Sequence, residues 1–302
     1  MGRCCLQIVM GPAGSGKSTY CHAVQEHFAS LGRLRRRSVH IANLDPAAEN
    51  FNYDVSFDIR ELISVDEVME ELGLGPNGAL IYCMEYLLEN LDWLRSELDG
   101  YEDDECHLLL DCPGQIELYT HVPIMRKIVD EIRMWGYESS MVAVFVADAT
   151  FVCDSPKFIS GSLLSMSTMI ALELPHVNVM SKCDMIDEEK VEKVLETESA
   201  IDLWNREEDH AIRETALLFP ENLRNEVDTR RRKRNKLTES ICQLLDDYSM
   251  VSFYPLNIKD EESVDLLMAN IENSINFAEG LECRGAEMDD TEIMGHAENE
   301  DT

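Results

Sequence analysis

Basic residues are scarce in this chain: 26 Lys and Arg stand against 59 Asp and Glu, a formal net charge of -33 over 302 residues. A field of that sign repels nucleic acid and anionic membranes at long range, so neither is expected as a general partner. Long apolar runs are absent as well. None approaches the roughly 18 residues that a membrane span needs. The ten cysteines form no Cys-x-x-Cys pair and the eight histidines no His-x-x-x-His, so a structural metal is not expected. The chain opens Met1-Gly2, but Leu6 stands where a myristoylation signal carries Ser or Thr. With no leader-like segment, the expected setting is cytoplasmic with reduced thiols, and shuttling to the nucleus is left open. There is no internal repeat.

What is present is enough apolar material, 45% of residues, to build a sizeable core without cross-links. Short apolar runs alternate with longer helical patterns, which predicts an α/β protein with a doubly wound, mostly parallel sheet and helical insertions. Strands are expected at 5–10, 38–43, 79–82, 106–110, 142–147, 176–180 and 250–254. Helices are expected near 18–31, 60–72, 84–98, 116–135, 155–173, 187–200, 231–246 and 261–278. One domain over 1–282 is expected, carrying a charged helical insertion at about 186–236 whose far end is the basic run Arg230–Arg234. That run reads as a basic helix start, with a nuclear signal as the alternative. Residues 283–302 hold seven acidic side chains and one basic, and read as a disordered tail.

The strongest chemical signal is Gly11-Pro12-Ala13-Gly14-Ser15-Gly16-Lys17-Ser18, a full phosphate-binding loop between an apolar strand and a helix. Its glycines let backbone N–H groups turn toward phosphate oxygens, and the helix start adds its positive end. Gly14, Ser15, Gly16, Lys17, Ser18 and Thr19 are therefore the expected phosphate contacts, with Lys17 on the β- and γ-phosphates and the Ser18 hydroxyl on Mg²⁺. The protein is thus P-loop in type.

Further along, Asp111-Cys112-Pro113-Gly114-Gln115 follows the strand CHLLL. There Asp111 is placed to hold the metal, partly through water, Gly114 to offer its amide to a γ-phosphate, and Gln115 with Glu117 to orient the attacking water. A Pro-Gly turn with a solvated Asp is the plainer alternative. Ser181-Lys182-Cys183-Asp184 ends a later strand. A carboxylate there pairs with the N1–H and 2-amine of guanine, an adjacent donor pair that adenine lacks, so GTP and GDP are the expected ligands; an ordinary solvated Lys/Asp turn is the plainer alternative. Asp45, in Asn43-Leu44-Asp45-Pro46, ends the second strand; it either assists the metal and water or caps a turn. Asp58-Ile59-Arg60 reads as a switch segment, or Asp58 as an N-cap of the helix that follows. Methionines 166, 169, 180 and 185 read as core filler. Leu87, Leu88, Leu91, Trp93 and Leu94 read as core, with a dimer face as the alternative.

Gly75-Pro76-Asn77 lies between the second strand and Asp111, and with it the chain resembles the GPN-loop GTPases. NLDPAAENFNY, GPNGALIYCMEYLLENLDWL, DCPGQIELYTH, KFISG and DDYSMVSFYPLNI carry the likeness across roughly 5–280, and FNYDVSFDIREL favours the third eukaryotic type over the second. The resemblance implies a dimer, with itself or with another GPN-loop GTPase subunit, in which Asn77 reaches across to the partner's γ-phosphate. It also implies roles in RNA polymerase II assembly and nuclear import. Ser181 departs from the Asn found in many GTPases, and the last guanine-contact loop is matched only loosely, near Pro255-Leu256-Asn257. Two other functions are weighed: an assembly or transport chaperone with slow hydrolysis, which shares every motif, and a small-molecule or nucleotide kinase on the same phosphate loop, against which stand Ser181–Asp184 and the lack of an Arg-rich lid.

Overall fold

The computed structural model describes residues 4–31, 37–101, 106–152, 155–187, 189, 191–192, 200–202, 204, 236–247 and 252–275. The basic run 230–234, most of the insertion 186–236 and the acidic tail 283–302 lie outside the described residues.

Seven strands form one sheet: β1 (Cys5–Met10), β2 (Ser38–Asn43), β3 (Val55–Asp58), β4 (Cys106–Asp111), β5 (Met141–Asp148), β6 (His176–Ser181) and β7 (Phe253–Pro255). Their order is β3-β2-β4-β1-β5-β6-β7, and every neighbouring pair is parallel. Parallel pairing requires crossovers and covers both faces. Alternate residues accordingly feed two cores. Leu6, Ile8 and Met10 of β1 join one, with Leu108, Leu110, Ala143 and Phe145. Cys5 and Val9 join the other, with Val142, Val144, Val146, Val177 and Val179. This is the doubly wound α/β architecture that the alternating pattern predicts.

The helices follow local rules. Helix α1 (Lys17–Ser30) begins where Gly16 takes a left-handed conformation, φ 95°. Helix α2 (Val65–Leu72) carries a full capping box between Ser64 and Glu67 and stops at Gly73, φ 63°. Helix α3 (Pro76–Glu89) has proline at its first position, where the missing N–H costs nothing. It runs into α4 (Leu91–Leu98) at Asn90. A single turn α5 (Glu117–Thr120) precedes α6 (Ile124–Ile132), which buries Ile124, Met125, Ile128, Val129 and Ile132 along one stripe. After β5 come α7 (Ala149–Val152) and α8 (Ser155–Leu172); residues 236–247 are helical, and helix 261–275 covers the α1 side of the sheet.

Several expectations need correction. Residues 79–82 are the interior of α3, not a strand, because Pro76 starts a helix that carries ALIY inside it. A strand at 55–58 went unforeseen; VSFD is four residues long and pairs on one side only, at the sheet edge. The expected helix at 60–72 is a 3₁₀ turn, Ile59–Glu61, followed by α2, and Asp58 caps that turn by accepting from Arg60 N. Leu87 and Leu94 are buried, and Leu88, Leu91 and Trp93 pack against the same core, as the core reading has it. Met185 is 72% exposed and fills no gap.

Candidate functional site

In a parallel sheet all carboxyl ends share one edge, and ligands of such folds bind there. The register sets the chemistry side by side: Val9 and Asn43 both align with Asp111, and Asp148 aligns with Ser181. The phosphate-loop turn leaves β1 at this edge with Gly11, Gly14 and Gly16 all at positive φ (145°, 75° and 95°). Crowding adds to conformation at Gly11 and acts by itself at Gly114. A Cβ on Gly11 would fall 2.2 Å from Val146 O, and one on Gly114 would fall 2.8 Å from Ala13 Cα and 3.1 Å from Lys17 Nζ. The Asp111–Gln115 segment therefore lies directly on the loop.

Lys17 is buried, its ammonium donating to the carbonyls of Gly11 and Pro12 at 3.2 Å each. Ser18 and Thr19 are exposed in the first turn of α1. Asp111 is buried; its Oδ2 accepts a hydrogen bond from Tyr53 Oη at 2.9 Å, and the Ser18 hydroxyl lies nearby. Burial raises the Asp111 carboxyl above its ordinary value against those two hydroxyls and the nearby Lys17 charge. Asp45 is half-buried; burial raises its carboxyl too, opposed by the Ala47 N–H and Lys17. One Asp45 oxygen accepts from Ala47 N at 3.0 Å, so the residue does cap a turn while standing near Lys17. Gln115 Oε1 and Ser15 Oγ are buried and have no hydrogen-bond partner among the described residues. Such atoms are exceptional in folded proteins and mark where oxygens of a ligand or water are accommodated. Glu117 is exposed at the start of α5.

Hard oxygen donors on one hydroxyl and two carboxylates suit Mg²⁺, which binds through one or two carboxylates and completes its shell with water and phosphate. Among the described residues no group of three or more His, Cys, Asp or Glu side chains could hold a metal unaided. The residues at this edge therefore fit a Mg²⁺ that arrives with phosphate.

The base motif is fastened to the phosphate loop. Ser181 Oγ donates to Ser15 O and, at 3.1 Å, to Ala147 O. Lys182, itself left-handed at φ 59°, donates to Gly14 O at 2.7 Å and to Asp148 Oδ2 at 2.6 Å. The Ser181 hydroxyl thus ties the base motif to the phosphate loop and to the end of β5. Cys183 Sγ donates to Met180 O. Asp184 pairs with Lys259 Nζ at 2.9 Å and lines a cavity of about 580 Å³ with Cys183, Ile186, Pro255 and Asn257. The loosely matched segment 255–257 does reach the base motif.

Gly75, Pro76 and Asn77 stand apart from these groups. All three are exposed, at the amino end of α3 rather than in a free loop, and Ala79 N donates to Gly75 O at 2.9 Å. Exposed Leu72, Leu74 and Tyr82 flank them.

Sequence reasoning missed a second tier of residues. Asn43 Nδ2 donates to Asp58 Oδ1 (2.8 Å), and its Oδ1 accepts from Asp45 N (3.0 Å). Arg60 grips Asp58 Oδ2 through Nε (2.9 Å) and Nη2 (2.6 Å), reaches Ala48 O (2.9 Å) and lies 4.6 Å over the Phe51 ring. Asp58 is held below its ordinary carboxyl value: burial raises it, and the Arg60 and Asn43 hydrogen bonds outweigh that. Tyr53, Asp148 and Lys259 complete the tier. Of these only Asp58 and Arg60 carry a reading from the sequence; Asn43 and Tyr53 lie inside NLDPAAENFNY without an assigned role, and Asp148 and Lys259 stand outside the quoted motifs.

A parallel sheet with a glycine-rich loop closing on Lys17, facing a strand-end aspartate, defines a P-loop nucleotide-binding protein. Known proteins agree with that class. A family model described as "Conserved hypothetical ATP binding protein" matches residues 9–277. GPN-loop GTPase 3 of Dictyostelium discoideum is 47% identical over 277 residues, covering 92% of this chain and 89% of that protein. GPN-loop GTPase 3 of Danio rerio is 46% identical over 280 residues, covering 92% and 90%. In fold, the apo crystal structure of a GTPase from Pyrococcus abyssi superposes with a TM-score of 0.65 at 19% identity, covering 89% of this chain and 96% of that one. The chain belongs to the GPN-loop GTPase family, a family of GTP-hydrolysing enzymes.

Proposed function

We propose that this family member hydrolyses GTP with Mg²⁺ as half of a dimer, each subunit lending Asn77 to its partner's site. The observation that carries the reading is the meeting of Lys17, Asp111 and Gly114 at one sheet edge, with Asp184 at the same edge as the base-facing carboxylate. The family description speaks of ATP and the relatives' names of GTP. Asp184 favours the latter, since its two oxygens match two adjacent donors of guanine, whereas adenine sets an acceptor, N1, beside its one amine.

In this reading Lys17 turns from the Gly11 and Pro12 carbonyls to the more strongly accepting β- and γ-phosphates. The amides of Gly14, Ser15, Gly16, Ser18 and Thr19 line the phosphate path, and Gly114 approaches the γ-phosphate. Ser18 and Asp111 hold Mg²⁺, the latter partly through water. The metal, when bound, neutralises charge developing on the phosphates. Gln115 accepts a hydrogen bond from the attacking water at its unpartnered Oε1 and so orients it, with Asp45 and Glu117 assisting. Ser181, Lys182, Cys183 and Asp184 frame guanine.

Asn77 supports the dimer by its position: it is exposed on a helix start, flanked by apolar side chains, as a group meant for another chain would be. An amide donor supplied across an interface to developing negative charge is worth about 10²-fold or more in rate. The partner is a second copy or another GPN-loop GTPase subunit. By family resemblance the cellular task is RNA polymerase II assembly and nuclear import, from the cytoplasm. The test is GTP turnover per mole of chain across a wide concentration series, beside Asn77→Ala. The reading expects specific activity to climb with concentration for the wild type alone. A wild type that binds GTP yet stays at background throughout would refute the self-sufficient homodimer and favour a different partner subunit or a slowly hydrolysing chaperone.

A further inference from the structure

A residue to which the sequence assigns no role touches a carboxylate at the centre of the site. Tyr53 lies on the connection between β2 and β3, at the end of the stretch NLDPAAENFNY, and its phenol donates to Asp111 Oδ2 at 2.9 Å. The ring is 6% exposed and packs at 5.2 Å from the Phe51 ring, in the core on the α1 side of the sheet.

The connection is pinned on either side of Tyr53. Upstream, Arg60 covers Phe51 and binds the carbonyl of Ala48. Downstream, Gln25 of α1 makes a two-way amide pair with the backbone of Asp54: Gln25 Nε2 to Asp54 O at 3.2 Å, and Asp54 N to Gln25 Oε1 at 2.9 Å. A phenol aimed into the site from a segment anchored at both flanks cannot drift from its acceptor without breaking one of those ties. Asp111 Oδ2 therefore receives a donor held from both flanks, and the Ser18 hydroxyl lies near the same carboxylate. A fixed donor on one oxygen of a planar carboxylate restricts the rotation of the group, and so restricts where its remaining lone pairs point.

We propose that Tyr53 is a positioning residue: its hydroxyl orients Asp111 for the hydrated Mg²⁺ of the bound nucleotide and ties that carboxylate to the segment beginning at Asp45. This rests on the functional reading above. The alternative is that Tyr53 is a core aromatic whose hydroxyl happens to find an acceptor. Tyr53→Phe separates the two, because it keeps the ring and removes only the donor.

The experiment is equilibrium binding of a fluorescent GDP to the full chain, with Mg²⁺ titrated in and, separately, with Mg²⁺ removed by EDTA. For Tyr53→Phe the expected result is unchanged affinity in EDTA, within about twofold, and a Mg²⁺ midpoint raised about tenfold, the effect of one hydrogen bond to a charged group. Should Tyr53→Phe melt too early to assay, Gln25→Met loosens the same segment with the phenol intact. It is expected to raise the midpoint by about threefold. A midpoint equal to wild type, or a fall in EDTA affinity as large as that in Mg²⁺, would overturn the proposal while leaving the GTP reading standing. A wild type that takes up no guanine nucleotide would overturn both.

Discussion

The Lys182 ammonium sits 2.6 Å from Asp148 Oδ2, one carboxylate at the end of β5 gripping the lysine of the base motif on β6. Thr150 holds the same carboxylate through Asp148 Oδ1, from its N–H (2.8 Å) and hydroxyl (2.6 Å). Burial raises the Asp148 carboxyl, and the Lys182 and Thr150 hydrogen bonds outweigh it, so the group is held below its ordinary value. The pair therefore persists through the normal carboxylate range and is lost as acid protonates Asp148 below it.

Asp148→Ala should free Lys182 to wander from the base plane without altering the fold. Both side chains are partly exposed, 32% for Lys182 and 22% for Asp148, so the coupling is screened and modest. GTP affinity is expected to fall about threefold to tenfold, with melting shifted by a few degrees at most. Isothermal titration of GTP into both proteins is the check; equal affinities would show that the aspartate does nothing for the base site.

Asp184→Asn should exchange the preferred base. A carboxylate accepts from two adjacent donors, N1–H and the exocyclic amine of guanine. An amide offers one acceptor and one donor, which matches N1–H and the 2-carbonyl of xanthine. GTP affinity is expected to fall by about a hundredfold and xanthosine triphosphate to gain by a similar factor, since an unpaired buried polar group costs about 1–3 kcal/mol. Competition of the two nucleotides for the fluorescent GDP site measures it. Equal loss of both would mean that Asp184 serves chiefly as the partner of Lys259, 2.9 Å away.

The motif tier of this site was legible because its chemistry sets chain geometry locally. Gly11, Gly16 and Lys17 must be adjacent in sequence to make one turn, and Asp111 must end a strand. The support tier was not legible, because it is assembled through space. Nothing near Tyr53 in sequence says that it meets Asp111, 58 positions away, or that Gln25 will hold the residue beside it. The fold divides in the same way. Buried central strands announce themselves as continuous apolar runs, whereas VSFD at the sheet edge does not. ALIY at 79–82 resembles a strand only until Pro76 is recognised as the first residue of a helix.

Gly114→Ala should separate folding from nucleotide binding. The added methyl would lie 2.8 Å from Ala13 Cα and 3.0 Å from Ala13 N, so the phosphate loop and the Asp111–Gln115 segment must part by several tenths of an ångström. Gly114 itself is not at positive φ, and the cores on either face of the sheet are untouched. The expected outcome is a folded chain, about 1–3 kcal/mol less stable through overpacking, whose hydrolysis falls at least tenfold. Circular dichroism with a GTP turnover assay reads both; undiminished turnover would mean the loop yields freely and Gly114 stands back from the phosphate.

His176 sets an acid limit on stability that is independent of the site. Its Nε2 meets Asn178 Oδ1 at 3.1 Å and Ser165 Oγ at 3.3 Å, with the Phe145 ring stacked at 6.2 Å, and burial depresses its pKa from 6.5 to about 4. Between those values the unfolded chain takes up a proton that the folded chain refuses, so stability is full above pH 6.5 and declines as pH falls toward 4. From pH 7 to pH 5 this one group should remove about 1–2 kcal/mol. His176→Gln keeps a hydrogen-bonding side chain and removes the titration. The difference in melting temperature between wild type and variant should therefore shift by about 2–3 °C over that interval, in the variant's favour as the medium becomes more acid. Parallel melting curves from pH 7 to 5 would show that the imidazole is protonated in the folded state after all, and that acid sensitivity arises elsewhere.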